Sequence, residues 1–569
     1  MHVILGKRKS WDGVGISTAE GPPRDHHDGG GVEVAVAGYP YDGRRVAWLA
    51  AEDIHRRYLE GGAALTDDLE GSFAIIILDR NARRCFVLID PYKIFTLFHA
   101  KLPDGRMIIS DAVSEITPRL AGIQVDKTAA LEFFNFGFVL GSKTLLEGVG
   151  MFEPGRIYTM DERLEFSVES YWSFLGKEGK TTANGLIEAF DSHVSNGLRL
   201  SDRICMPLTG GLDSRTVLSA CLGARERLHC YTHGRRSSDD VRIARKIARR
   251  FGIRYDYYEI GAETIENIPA VALSMSLPCN GLLNTVTSAH FPASYERESV
   301  HGDIFFSGIG GELLRSYYMP AGADRLGARG AFAGALRRKI QLGSDNGVYR
   351  GMTAAEVSAV LDESVRTELS GYGADDPQAL AECFYLENRI GNFLALSMRL
   401  VGRYFRTFNP FLEKEMLRMI PRLPAPEKAG GELQRRIILR NAPELARILM
   451  DRARIVDSGD SAALMKHLVR RPFVLAKIYS NKITGRRLFN FSFTDYYSWL
   501  KRRHRSFVLE TLDYERMLLR DLFDRDRLEN LKAGFLDTRS DLLGFVTNIM
   551  SAEIFLERLA DAGKSKDEA

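Results

Sequence analysis

Residues 204–222 join an apolar run to a helix-like run through a turn that few folds can accommodate. Ile204, Met206 and Leu208 suit a short buried strand, and Thr216-Val217-Leu218-Ser219-Ala220-Cys221-Leu222 suits the first turns of a helix packed on it. Between them stand Thr209-Gly210-Gly211-Leu212-Asp213-Ser214-Arg215. Glycines at such a junction let backbone N–H groups approach a polyphosphate closely, and the helix N-terminus adds a favourable dipole. The Thr209 and Ser214 hydroxyls can donate to phosphate oxygens, and the Asp213 carboxylate can hold a magnesium ion bridging them. The string is not a Walker loop, because no Gly-Lys-Ser/Thr follows, and it lacks the third glycine of a dinucleotide fingerprint. The region 180–450 alternates strand-like and helix-like runs, which implies a parallel sheet covered on both faces. Ligands of such sheets sit beyond the carboxyl ends of the strands, where this turn would lie.

The whole chain bounds what surrounds that sheet. Its 569 residues suggest two or three domains, and 45% hydrophobic residues can bury a sizeable core. A formal net charge of +3 demands neither nucleic acid nor an anionic membrane as partner. The basic runs Arg242-Arg245-Lys246-Arg249-Arg250 and Lys501-Arg502-Arg503-His504-Arg505 read as solvated helix faces, since aromatic residues are sparse around them. Six scattered cysteines, with no Cys-x-x-Cys pair, read as reduced and mostly buried thiols. No basic leader with an apolar core opens the chain, and no apolar run is long enough to span a bilayer. A soluble cytoplasmic protein is expected.

The Pro207–Arg215 string resembles the SGGLDS loop of the ATP-pyrophosphatase superfamily, in its asparagine synthetase-like branch, with Thr209 for the first serine. Further matches follow in family order. Cys230-Tyr231-Thr232-His233-Gly234 and Ser237-Ser238-Asp239-Asp240 resemble the second strand and its helix start, and Ser307-Gly308-Ile309-Gly310-Gly311-Glu312 resembles the SGEGSDE segment. Asn409-Pro410-Phe411-Leu412-Glu413 is similar to VPFLD, and Arg436-Ile437-Ile438-Leu439-Arg440 to KxxLR. Upstream, Leu69-Glu70-Gly71-Ser72-Phe73-Ala74, Asp90, Ser114-Glu115 and Pro154-Gly155 resemble landmarks of that family's glutaminase domain.

The resemblance implies an α/β architecture in three parts. Residues 1–175 would form a glutaminase-type (Ntn-like) αββα sandwich, and 180–450 a parallel-sheet ATP-pyrophosphatase synthetase domain. Residues 451–569 would be a helical C-terminal extension packed on it. Strands are expected at Val32 to Ala37, Phe73 to Leu78, Cys85 to Ile89 and Met107 to Ile109, and a helix at Ala47 to Tyr58. Gly21 to Gly31 reads as a mobile loop, and Lys564 to Ala569 as a frayed end.

By the same resemblance the chain would activate a carboxylate with ATP, releasing pyrophosphate, and an amine or ammonia would then displace AMP to form an amide. Leu208, Thr209, Gly210, Gly211, Leu212, Asp213, Ser214, His233, Ser307 and Gly308 would border the ATP, with Asp213 and Glu312 holding Mg2+. His233 would either stack on adenine or form pocket wall, and Arg454 would either clamp the α-phosphate or lie in a surface salt bridge. Glu382 and Glu387 precede a helix-like run, with Tyr385 between them. A Tyr–Glu pair is the base in related β-lactam-forming synthetases, which makes Glu382 and Tyr385 catalytic candidates.

The departures are as informative. Working glutaminase domains expose a cysteine at position 2, and this chain has His2. The glutamine-holding NGEIYN loop is replaced by Ala37-Gly38-Tyr39-Pro40-Tyr41-Asp42, and the arginine before Asp90 by Ile89. Glutamine hydrolysis is therefore not expected. Ile309 replaces the glutamate of SGEG, and Arg452-Ala453-Arg454 the family's Arg-x-Lys, which argues against aspartate as substrate. Lasso-peptide cyclases and amidotransferase-like proteins of surface-polysaccharide pathways share this pattern. Two functions follow: an amide-forming ligase acting on a small-molecule or peptide carboxylate, with partner proteins of its pathway, or a non-catalytic relative serving as a binding or scaffold protein.

Overall fold

The run Phe73-Ala74-Ile75-Ile76-Ile77-Leu78 is apolar at every position because both faces of its strand are covered. Phe73, Ile75 and Ile77 join Val32, Val34 and Val36 beneath the helix Ala51–Gly61, while Ala74, Ile76 and Leu78 point into the main core with Val3, Leu5 and Ile108. The computed structural model describes every residue except 7–13, 19–22, 177–180, 321, 323–328, 458, 485–491 and 568–569. In its N-terminal part, two antiparallel sheets are stacked. The larger runs Phe166–Ser170, Arg156–Met160, Arg84–Ile89, Leu69–Asp79, Val32–Asp42, Arg24–Gly29, with Ala47–Trp48 beside Val32–Asp42. The smaller runs His2–Leu5, Met107–Ser110, Phe98–Lys101, Val149–Met151. Helices lie outside both sheets, giving the αββα layering.

Two local expectations are corrected. The helix begins at Ala51, not Ala47, because the Asp53 carboxylate accepts the Ala50 N–H at 3.0 Å, while Ala47 and Trp48 pair as a strand with Asp42 and Tyr41. Residues 24–29 are not a loop: they pair with Val32–Ala37 through a tight turn at Gly30 (φ 61°) and Gly31 (φ 83°), a backbone that glycine adopts freely. Residues 21 and 22 of that expected loop lie outside the described residues. At the other end the last helix runs to Asp567, and residues 568 and 569 of the expected frayed end lie outside the described residues.

The second layer system is a five-stranded parallel sheet. Its strands are β1 (Ile204–Pro207), β2 (Leu228–Gly234), β3 (Arg254–Glu259), β4 (Ile304–Phe306) and β5 (Arg406–Phe408), in the order β3-β2-β1-β4-β5. The order reverses between β1 and β4, so the loops after these two strands flank the switch point where such sheets bind ligands. Helix α1 (Asp213–Cys221) follows β1, and α2 (Asp239–Phe251) follows β2. The expected helix around Phe384 to Met398 is present, but Tyr385–Leu394 winds as a π-helix, a form often found at functional sites.

Helix α3 (Ser461–Thr484) and the terminal helix α4 (Leu543–Asp567) belong to the C-terminal part. The Asn548 amide donates to the Phe133 carbonyl at 2.9 Å and accepts from Asn284 at 2.7 Å, so α4 ties the sandwich to the parallel-sheet part. A second tie is polar and buried. The Tyr41 hydroxyl donates to Glu413, and Lys414 Nζ donates to the Thr66 carbonyl at 3.1 Å. Glu413 therefore serves the interface between the two parts.

Candidate functional site

Helix α1 starts at Asp213, so the acidic side chain lies in the first turn, where the exposed N–H groups favour negative charge. Its carboxylate is the centre of a cluster. Arg315 Nη2 donates to Asp213 Oδ2 at 3.1 Å and to Glu312 Oε1 at 3.3 Å, and Gln434 Nε2 donates to Asp213 Oδ1 at 2.7 Å. The Tyr385 hydroxyl donates to the other oxygen of Glu312. Three residues singled out in the sequence, Asp213, Glu312 and Tyr385, thus converge from α1, the loop after β4 and the π-helix. Burial pushes the Asp213 carboxyl up, against the pull of Arg315 and Gln434. Burial also raises the Tyr385 hydroxyl, and Glu312 raises it further. For Arg315, burial opposes the charge, but Asp213 and Glu312 together hold the guanidinium above its ordinary range.

Close backbone packing fixes this geometry. A Cβ on Gly311 would lie 2.5 Å from Asp213 Oδ1, and one on Gly310, at φ 92°, would lie 2.6 Å from the Leu412 side chain. Gly308 sits against α1, where a Cβ would be 3.4 Å from the Ser214 nitrogen. The Ser307 hydroxyl accepts the Ile309 N–H at 3.1 Å and so shapes the same turn.

The loop after β1 differs from expectation in its hydrogen bonds. The Gly210 N–H donates to Asp240 Oδ1 at 2.8 Å, the Gly211 N–H to Thr209 Oγ1 at 3.1 Å, and the Thr209 N–H to Ser214 Oγ at 3.2 Å. The expected phosphate donors are therefore satisfied within the protein, and a phosphate would have to replace those acceptors. Asp240 reaches Gly210 because Ser238 caps α2 and leaves the two acids in its first turn. Gly211 is crowded on one side alone: a Cβ there would meet only Thr209 Oγ1, at 3.3 Å, which would have to give slightly. Leu208 is engaged on both sides, its N–H donating to the Tyr231 carbonyl at 2.8 Å and its carbonyl accepting the Thr232 hydroxyl, and the Leu212 side chain is buried.

His233 does not present an open face to a ligand. Its ring lies among His290, Phe291 and Phe493 at 4.9 to 5.6 Å, and burial lowers it to about 4. The Arg235 N–H donates to the Phe493 carbonyl at 2.8 Å, so the C-terminal part covers the end of β2. Arg454 pairs with Asp451, whose N–H donates to the Gly210 carbonyl at 3.0 Å, which sets this ion pair beside the loop. Glu382 is turned away: it is buried in an ion pair with Lys428 and accepts the Ser316 hydroxyl at 2.7 Å. Burial raises its carboxyl and Lys428 opposes that. Glu387 lines a different cavity of about 300 Å³ between the two parts, with Lys93, Arg156 and Glu368. The Tyr–Glu pair that forms is Tyr385 with Glu312.

Arg315, Gln434, Asp240 and Asp451 were not singled out from the sequence. Asp240 lay inside a quoted motif without a role, while Arg315 and Gln434 gave no signal by spacing. The residues fit a hard dication in kind, since two carboxylates converge on one point, but Arg315 supplies the positive charge there.

In the sandwich, the Met1 amine donates to Asp111 Oδ1 at 2.7 Å, and Arg24 binds the other oxygen at 2.7 Å. His2 lies in a strand opposite Ser110 and exchanges backbone hydrogen bonds with Ser17. Asp90 is fully buried and accepts backbone N–H groups of Phe73 and Tyr92, with its carboxyl pushed up to about 7 by burial. It organises a turn within the sandwich.

Residues 49–172 match the family model of the glutamine amidotransferase domain, and residues 185–390 that of asparagine synthase. The chain is 24% identical over 205 residues to asparagine synthetase [glutamine-hydrolyzing] 1 of Bacillus subtilis (strain 168), covering 35% of this chain and 32% of the relative. It is 24% identical over 273 residues to the Homo sapiens asparagine synthetase [glutamine-hydrolyzing], covering 44% and 46%. The chain thus spans less than half the length of these curated relatives. Among solved structures, the glutamine-dependent NAD+ synthetase of Acinetobacter baumannii aligns at 15% identity with a TM-score of 0.20, over 36% of this chain and 41% of its own. Among the described residues, no helix is long and apolar enough to cross a membrane.

Proposed function

Because the chain belongs to the asparagine synthetase-like family, with both of its domains in order, we propose that it is an ATP-dependent ligase joining a carboxylate to ammonia or an amine. The observation that carries this reading is the convergence of Asp213, Glu312 and Tyr385 at the switch point of the parallel sheet. ATP would lie along the loop 208–214, with its α-phosphate toward Ser307 and Gly308 and its pyrophosphate over Gly211. Magnesium, held by Asp213 and Glu312, would neutralise the leaving pyrophosphate. Binding requires Asp240 and Thr209 to give up the Gly210 and Gly211 N–H groups and Arg315 to move from between the carboxylates to the phosphates, where a guanidinium is equally well matched.

Tyr385 would take or pass a proton of the incoming amine, with Glu312 accepting from its hydroxyl. The amine would come from solution or from the substrate itself, without glutamine. The position that carries the nucleophilic cysteine in working glutaminase domains is His2 here, paired in a strand opposite Ser110. A cyclase or a surface-polysaccharide amide ligase fits this chemistry, and the neutral Ile309 favours a substrate other than aspartate.

Exchange of labelled pyrophosphate into ATP, screened over candidate carboxylates, tests the reading. We expect exchange that depends on one class of carboxylate and disappears in Asp213→Asn. No exchange with any carboxylate, together with no thermal shift on adding ATP, would leave a non-catalytic binding protein as the function.

A further inference from the structure

Helix α3 shows solvent the wrong face. Among the described residues, six of the fifteen exposed large hydrophobic side chains lie on it: Met465, Leu468, Val469, Phe473, Tyr479 and Ile483. Their exposure is high, 69% for Phe473 and 83% for Ile483. At 3.6 residues per turn they fall in one stripe roughly 140° wide and about 27 Å long. The opposite side of the helix is the one turned to the protein: Ala463 is buried, His467 is half-buried, and His467 Nδ1 lies 2.9 Å from the Ala453 carbonyl. The stripe is therefore not a core face left open by a small shift, because the core contacts come from the other side.

The charge of the helix points to what covers the stripe. Residues 461–484 contain Lys466, Arg470, Arg471, Lys477 and Lys482 and no Asp or Glu, in a chain whose charges otherwise nearly balance. Lys466, Arg470 and Lys477 fall along one border of the stripe, and Arg471 along the other. A bulky apolar stripe with basic borders and no acid is the pattern of a helix lying in the plane of an anionic bilayer, its apolar side in the acyl boundary and its cations at the headgroups. A second copy of this chain would set the same cations against each other. We propose that α3 docks this protein on an anionic membrane surface without crossing it. The chain on either side of the helix is pinned next to the candidate site, by Asp451 on Gly210 and by Phe493 on Gly234 and Arg235, so docking would bring that site to the bilayer. The inference stands on α3 alone and does not depend on the ligase reading.

Cosedimentation of the full chain with phosphatidylglycerol/phosphatidylcholine vesicles tests it, beside pure phosphatidylcholine vesicles. We expect binding to the anionic vesicles at least tenfold stronger than to the neutral ones, weakened by about 0.5 M salt. The triple variant Leu468→Asp/Phe473→Asp/Ile483→Asp, altered only at exposed positions, should lose binding while keeping its melting temperature and its response to ATP. A chain that stays in the supernatant with anionic vesicles, or a triple variant that still binds, would overturn the proposal. So would sedimentation velocity showing a dimer that the triple variant dissociates, since a second copy would then be the occupant.

Discussion

Arg315 is the residue on which the chemistry turns. It bonds both carboxylates proposed to hold magnesium, so on that reading metal and guanidinium would compete for one position. Charge-assisted hydrogen bonds of this kind contribute about 1.5–3 kcal/mol each, and a difference of 1.4 kcal/mol is tenfold in affinity. Arg315→Leu is therefore expected to bind Mg2+ about tenfold or more tightly in the absence of nucleotide, read by calorimetry; unchanged affinity would show that the carboxylates are not its ligands. His233 gives a prediction about pH. Its folded pKa, about 4, lies below the ordinary histidine value of 6.5, so its neutral burial favours folding above pH 6.5. That contribution falls away as pH drops from 6.5 toward 4, because the unfolded chain takes up the proton first. His233→Phe should accordingly gain stability relative to the parent chain as pH falls from 7 to 5, in denaturant titrations; parallel pH profiles would contradict it.

At the scale of elements, α1 is held by one buried cation. Arg215 is fully buried and donates to the carbonyls of Leu445 at 3.2 Å, Leu449 at 3.4 Å and Ile448, which fixes the turn leading to Asp451 and Arg454 beside the loop. Burial lowers the guanidinium to about 10 without neutralising it. Arg215→Met would strand these carbonyls and should cost about 3 kcal/mol in equilibrium unfolding. A loss below about 1 kcal/mol would mean that water replaces the guanidinium. Elements were the part most legible in the sequence. The unbroken apolar run 73–78 and the alternating pattern of 180–450 carry the sandwich and the parallel sheet, because burial on one or both faces writes itself into periodicity. The hairpin at 24–37 was missed, since its edge strand Arg-Asp-His-His-Asp-Gly is polar and its Gly-Gly turn reads as a loop. The π-helical stretch leaves no periodic mark either. In the candidate site, the order of motifs pointed to Asp213 and Glu312 and the resemblance to Tyr385, but the partners that decide their state come from distant segments. Arg315, Gln434 and Asp240 are joined to them only by tertiary structure, and what separates Glu382 from Tyr385 is the buried Lys428 beside Glu382, which no spacing records.

Across the whole molecule, sandwich and synthetase part share one buried polar seam. Glu70, Glu413, Tyr41 and Lys414 lie together there, and burial raises the carboxyls of Glu413 and Glu70. Tyr41→Phe deprives Glu413 of its donor and should destabilise the chain by about 1–3 kcal/mol. Because α4 also bridges both parts, calorimetry should show the two unfolding in a single shifted transition; a separate early transition of the sandwich would contradict that coupling. The account as a whole depends on the loop 208–214 being a nucleotide site despite its internally satisfied N–H groups. Gly211 offers the direct test, because a side chain there meets only the Thr209 hydroxyl, 3.3 Å from its Cβ, and would fill the proposed phosphate position. Calorimetric titration of ATP with Mg2+ into the intact chain and into Gly211→Val is predicted to show one site per chain that the variant weakens at least tenfold, with no change in melting temperature. Equal binding by the two proteins, or none by either, would contradict it.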